Sequence, residues 1–250
     1  MRLLVTRPEP DASRTADALT RLGHAVIASP LFTFRFYADR PLPKRRFQAV
    51  LVTSANAVRA LEAHPEHGLI KAVPLLAVGD ATALKARRAG FSQARSAGGA
   101  ADDLIRLIGE TCEPAAGPLL YVAGEARAAG IEARLSEAGF NVQTVVLYAM
   151  DQARLSGEAL RALRDDALDG VLVYSQRAAA ALALALRAEG LVPLPPRLSL
   201  FCLSDSVARP LRALAAGPVV VAAAPDQISL FAAIQAAEEA GRSTPLATKP

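Results

Sequence analysis

The sequence predicts an α/β chain made of two similar doubly wound parallel-sheet domains. Three observations carry that prediction. Residues 50–61, VLVTSANAVRAL, return at 171–182 as VLVYSQRAAAAL, with seven of the twelve positions identical. RLLVTRPEPDASRTADALTRLGHAVIASPLFTF (2–34) aligns without a gap with PLLYVAGEARAAGIEARLSEAGFNVQTVVLYAM (118–150), sharing Leu3/Leu119, Leu4/Leu120, Glu9/Glu125, Leu19/Leu135, Gly23/Gly139, Val26/Val142 and Leu31/Leu147. Each repeated unit also has one grammar: a short apolar run, a small or polar turn, apolar residues at helical spacing, then often Gly. That is strand, loop, helix. Strands that are apolar throughout and alternate with helices belong to parallel sheets covered on both faces.

In the first unit LLV (3–5) is the strand, and Ala16, Leu19 and Leu22 form the stripe of the helix. Gly23 supplies the C-terminal stop, and HAVIASP begins the next strand. PLFTFRFYAD (30–39) comes next, extended and rich in β-branched and aromatic residues, with no helix directly after it. AVLV (49–52) opens the second unit and PLLAV (74–78) the third. LAVGDATALKARRAG (76–90) matches FCLSDSVARPLRALA (201–215) more weakly, through Asp80/Asp205, Ala83/Ala208 and Arg87/Arg212. The order is thus X-Y-Z, then X-Y-Z again. QTVVLYAMDQ (143–152) holds the place in the second X that 30–39 holds in the first, and the pair is expected to form a two-segment extended linker. The tail after about residue 241 lacks apolar periodicity and is expected to be disordered.

Composition narrows the function classes. The 250 residues, 52% hydrophobic and 21% charged, suit a soluble globular chain of one large domain or two modest ones. No apolar run approaches the roughly 18 to 20 residues of a membrane span. MRLLVTRPEPD is too short and too soon polar for a signal peptide, so a cytoplasmic protein with no membrane partner is expected. Cys112 and Cys202 read as buried free thiols, and His24, His64 and His67 have no metal-ligand spacing around them, so no metal is expected. A net charge of +4 and a pI near 9.4 suit a polyanionic small molecule or simply a basic solvated surface. Dispersed basic residues, the absence of Trp and 5% aromatic content weigh against nucleic acid. There is no GxxxxGK[ST], no GxGxxG after a strand and no GxSxG, which argues against phosphoryl transfer, hydride transfer and serine hydrolysis.

In parallel α/β sheets ligands bind beyond the carboxyl ends of the strands, where helix N-termini present free N–H groups. The repeat sets its small polar residues at those turns: Thr6 and Arg7, Thr53 to Asn56, Gly79 to Thr82, Gly124 to Arg127, Ser175 to Arg177, and Ser204 to Ser206. Two such rims across a cleft would grip an extended anion from both sides. Each residue has a plainer alternative. Ser54 and Ser175 fit equally as helix caps, and a loop Arg such as Arg7 is more often solvated.

TRPEPDASRTADALTRLGHAVIASPLF, VLVTSANAVRAL, LLAVGDATALKARRAGF, GEARAAGIEARLSEAGFNVQTVVLY and the final SxxLFAAI together resemble the uroporphyrinogen-III synthases, over nearly the whole chain. The resemblance implies a swapped connection, with 38–148 inserted between 1–35 and 152–250 and a cleft between the two domains. It implies a cofactor-free enzyme that closes the linear tetrapyrrole hydroxymethylbilane to uroporphyrinogen III, with loss of water and inversion of ring D. In that chemistry an azafulvenium cation forms, and a spiro intermediate leads to the inverted ring. The family's functional tyrosine falls on Tyr148, as acid at the leaving hydroxyl, and its cleft hydroxyls fall on Ser54, Thr82, Ser175 and Ser206. Thr6, Arg7, Asn56, Gly79 and Gly124 complete the expected substrate-binding set, and a monomer is expected. The chain departs from the family pattern at LSDSV (203–207), at Ala123 and at Gln176. A non-catalytic two-domain sensor of an anionic, tetrapyrrole-like ligand is the alternative.

Overall fold

The computed structural model describes residues 1–126 and 130–243. Arg127 and the tail from residue 244 lie outside them. The chain opens with β1 (Arg2–Val5), α1 (Asp11–Arg21), β2 (Ala25–Ala28) and β3 (Phe32–Phe36). Next come β4 (Ala49–Val52), α2 (Ala55–Ala63), β5 (Leu75–Ala77), α3 (Asp80–Arg88), β6 (Ala94–Ser96) and α4 (Ala101–Thr111). β7 (Leu119–Gly124), α5 (Ile131–Glu137) and the long β8 (Val142–Gln152) follow. The remainder is α6 (Gly157–Arg164), β9 (Gly170–Val173), α7 (Gln176–Ala188), β10 (Ser199–Cys202), α8 (Asp205–Ala208), β11 (Val219–Val221) and α9 (Gln227–Ser243). Two compact units result, Met1–Thr33 with the chain from Asp151 onward, and Phe34–Met150.

The first unit holds a parallel five-stranded sheet in the order β2-β1-β9-β10-β11. The second holds β8-β7-β4-β5-β6, parallel throughout, with β3 added outside β8. The two orders are the same pattern once the repeats are matched. β1-α1-β2 corresponds to β7-α5-β8, β4-α2 to β9-α7, and β5-α3-β6 to β10-α8-β11. Each sheet therefore takes the X of one repeat and the Y and Z of the other. Sequence identity between the copies survives because both strands of a matched pair occupy the same slot in a sheet.

Burial accounts for the uniformly apolar strands. Every residue of β4 is fully buried, with Val50 and Val52 facing one core and Ala49 and Leu51 the other. The first core is filled by α2 and α3 through Val58, Leu61, Ala83 and Ala86, and the second by α4 and α5 through Leu104, Ile108 and Leu135. Each fully buried Leu or Val stabilises the fold by roughly 1.5–3 kcal/mol. In the first unit Leu3, Val5, Leu172 and Phe201 meet α1 and α9 through Ala12, Leu19, Leu230 and Ile234. Residues of opposite parity, Leu4, Val171, Val173 and Leu200, are buried too, so both faces of that sheet are covered.

The two extended segments are more than linkers. β3 and β8 are hydrogen-bonded neighbours in the six-stranded sheet. Tyr37 N–H donates to the Leu147 carbonyl at 2.8 Å and Ala153 N–H to the Leu31 carbonyl at 2.8 Å, an opposed order that makes the pair antiparallel. Of the two cysteines expected to be buried free thiols, Cys202 is buried and Cys112 only partly so. Burial pushes the Cys202 thiol up to about 11.

Candidate active site

In both sheets the strand order reverses beside the first strand of X, between β1 and β9 in one unit and between β7 and β4 in the other. Such a switch point opens a crevice at the carboxyl ends of the strands.

In the second unit Tyr148 lies beside this switch point. β8 runs in step with β7 from Val142 opposite Leu119 to Val146 opposite Ala123, but Gly124 is paired with Tyr148. Leu147 is the extra residue of a β-bulge. Side chains alternate along a strand, so Val145 and Leu147 share a face, and both pack on the core of Val50, Val52, Leu120 and Val122. The inserted residue brings Tyr148 onto that same face, where it joins the core's margin half-buried. Its ring lies across β7 where Gly124 has no side chain. A Cβ on Gly124 would sit 2.7 Å from two ring carbons and 3.1 Å from the hydroxyl. The Phe34 ring meets Tyr148 edge-on at 6.4 Å.

The phenol reaches the start of α2. Ser54 is the N-cap of that helix and its Oγ accepts from Ala57 N–H at 3.4 Å. The same Oγ lies 2.9 Å from the Tyr148 hydroxyl. Ser54 is thus both a cap and a partner of the tyrosine. Asn56, in the first turn of α2, accepts from the Arg59 guanidinium at 2.7 Å. Gly79 caps α3 in an extended conformation without a side-chain bond, and Thr82 in the first turn is 8% exposed.

The crevice of the first unit is arranged differently. Thr6 is fully buried, and its hydroxyl donates to the Leu172 carbonyl at 2.9 Å. Its side chain ties β1 to β9 and is turned away from solvent. Arg7 is not a free loop cation. Its guanidinium donates to Thr15 at 3.2 Å and Gln227 at 3.1 Å, lies 3.6 Å from the Asp11 carboxylate, and stacks 4.2 Å from the Tyr174 ring centre. It is a fixed positive charge at the switch point. Tyr174 stands where the other repeat has Thr53, and burial pushes its phenol up. Ser175 is exposed and caps α7, accepting from Ala178 N–H at 3.1 Å. Ser206 is 2.9 Å from Ser204 at the start of the short α8.

Three side chains beside Tyr148 were not among the expected site residues. Tyr37 donates to the Glu125 carboxylate at 2.5 Å, which holds its phenol above the usual range. Arg40 stacks 3.7 Å from the Tyr37 ring centre and lies 3.6 Å from the same carboxylate. Glu125 was visible within the Gly124 to Arg127 turn and as a position shared with Glu9, but nothing marked its partners. No group of three or more His, Cys, Asp or Glu among the described residues is placed to hold a metal ion.

The chain matches the family described as uroporphyrinogen-III synthase HemD over residues 13–232. Among solved structures it is similar to a uroporphyrinogen-III synthetase from Helicobacter pylori, at 17% identity and a TM-score of 0.58, covering 94% of this chain and 99% of that one. A mutant uroporphyrinogen III synthase from Thermus thermophilus is similar at 16% identity and a TM-score of 0.54, covering 98% of this chain and 100% of that one. No curated protein matches the chain. At these identities the structural likeness speaks for the fold.

Proposed function

Since the chain belongs to the uroporphyrinogen-III synthase family and cyclises hydroxymethylbilane to uroporphyrinogen III, we propose that Tyr148 is the acid that protonates the departing hydroxyl. One observation carries this assignment: the Tyr148 hydroxyl sits 2.9 Å from a helix-capping serine, at the switch point of a parallel sheet. A phenol is protonated at neutral pH and can donate. With Ser54 O–H directed at the phenol oxygen, the Tyr148 proton is left for the leaving oxygen. The N-terminal end of α2 favours the negative charge that develops on the phenol as the proton moves. Water departs, the azafulvenium cation is attacked by ring D, and the proton released on ring closure restores the phenol. The cation is stabilised by the pyrrole itself, so positioning carries most of the catalysis and the acid assists.

Substrate grip is assigned to the rims of both units. Asn56, Gly79, Thr82, Ser175 and Ser206 lie at helix starts, where backbone N–H groups and hydroxyls suit the substrate's eight carboxylates. Arg7 contributes a fixed positive charge, and Gly124 contributes space for the Tyr148 ring. In the same reading the enzyme works as a cytoplasmic monomer with neither cofactor nor nucleic acid. No helix among the described residues is long and apolar enough to cross a membrane. The test is to supply hydroxymethylbilane and measure the ratio of isomer III to isomer I. Isomer III in excess is the expected result, whereas binding without turnover would favour the sensor.

A further inference from the structure

We infer that Tyr37, Arg40 and Glu125 form a clamp that fixes the β8 bulge and thereby aims the Tyr148 hydroxyl. The inference rests on the assignment of Tyr148 as the acid. A bulge interrupts the ladder, so the carbonyls around it need donors from elsewhere. Three successive carbonyls of β8 find them within this cluster. Val146 accepts from the Arg40 guanidinium at 3.0 Å, Leu147 from Tyr37 N–H at 2.8 Å, and Tyr148 from Glu125 N–H at 2.9 Å. The side chains of the same three residues then bind one another. Tyr37 O–H reaches Glu125, and Arg40 covers the Tyr37 ring.

Magnitudes decide against a simple stabilising role. The Arg40–Glu125 pair is 3.6 Å apart, with the side chains 43% and 49% exposed, and such pairs contribute little to stability. What the cluster does control is register. A slip of one residue in β8 would return Tyr148 to the opposite face of the sheet, away from Ser54. Arg40 and Tyr37 hold the strand on the side away from β7, and Glu125 N–H holds it on the β7 side. The three are positioning residues, acting through Tyr148 on the leaving hydroxyl.

The experiment compares Tyr37→Phe and Arg40→Met in the full chain, in wild-type and Tyr148→Phe backgrounds. In the wild-type background kcat should fall about tenfold while KM stays within about twofold, since small misplacements of an acid are costly. In the Tyr148→Phe background the same substitutions should change kcat less than about twofold. A second readout is the ring-carbon NMR signal of Tyr148, one of four tyrosines, identified by its loss in Tyr148→Phe. It should move in both clamp variants. Equal losses of kcat in both backgrounds, or an unmoved Tyr148 signal, overturn the clamp. If Tyr148→Phe itself turns over normally, the acid assignment fails, and the NMR signal alone decides whether the clamp positions the ring. Tyr37→Phe removes a single oxygen, so the test stands even if Arg40→Met fails to fold.

Discussion

At the scale of single residues, the proposed chemistry turns on one hydroxyl and one missing side chain. Tyr148→Phe keeps the ring on Gly124 and removes only the donor. If general acid catalysis has its usual weight, kcat should fall by about 10² to 10⁴, with the melting temperature unchanged. A steady-state assay paired with thermal unfolding checks both. Gly124→Ala tests the other half. The new Cβ would stand 2.7 Å from the Tyr148 ring, so the ring must move away from Ser54. Overpacking of this kind costs about 1–3 kcal/mol, and denaturant unfolding together with kcat should show both a loss of stability and a loss of rate. Ser54 and Gly124 were legible as residues at strand ends, and Tyr148 through the family resemblance. What made them one site was not. A bulge is a single extra residue with no mark in composition, and the partners that hold it, Tyr37 and Glu125, are 88 positions apart. Thr6 and Arg7 show the same limit from the other side. Sequence sets both at the end of β1, but only the pleat decides that one hydroxyl turns inward and that the guanidinium is spent on Thr15, Gln227 and Tyr174.

At the scale of elements, the serines that open α2 and α7 invite a direct comparison. Ser175 caps a 13-residue helix, and Ser175→Ala should cost about 0.5–2 kcal/mol of stability, read by urea unfolding, with turnover kept within a few-fold. Ser54→Ala should lose a similar amount of stability from its cap, and some rate as well, because its Oγ also meets Tyr148. Complete inactivity of either folded variant would contradict shared positioning and point to covalent catalysis. The strands and helices themselves were legible, since uniformly apolar runs and helical stripes report burial directly. The two crossing segments were read as extended, but whether an extended segment is a linker or a strand depends on a partner. For 143–152 the outer partner lies at 32–36, too far along the chain for any local pattern to name.

At the scale of the whole molecule, the two repeats exchange parts. Each sheet takes its X from one copy and its Y and Z from the other, which the repeat alone could not reveal, because a simple cut near residue 116 satisfied the same periodicity. Residues 32–150 contain every strand of the six-stranded sheet except the last two residues of β8, and both of its cores. Expressed alone, this segment should fold and unfold cooperatively, as monitored by circular dichroism and sedimentation; an unstructured or aggregated product would show that it depends on the rest of the chain. The exchange also sets a schedule for synthesis. Everything the Tyr148 sheet needs has left the ribosome once β8 emerges, whereas β1 must wait for β9, which begins at Gly170. At ordinary rates of translation that delay is on the order of ten seconds, during which Leu3, Leu4 and Val5, all fully buried in the finished protein, have no partner strand on that side. A chain released between residues 152 and 170 would therefore carry Tyr148 on a complete sheet and an orphaned βαβ piece at its N-terminus, a natural client for chaperones and proteases.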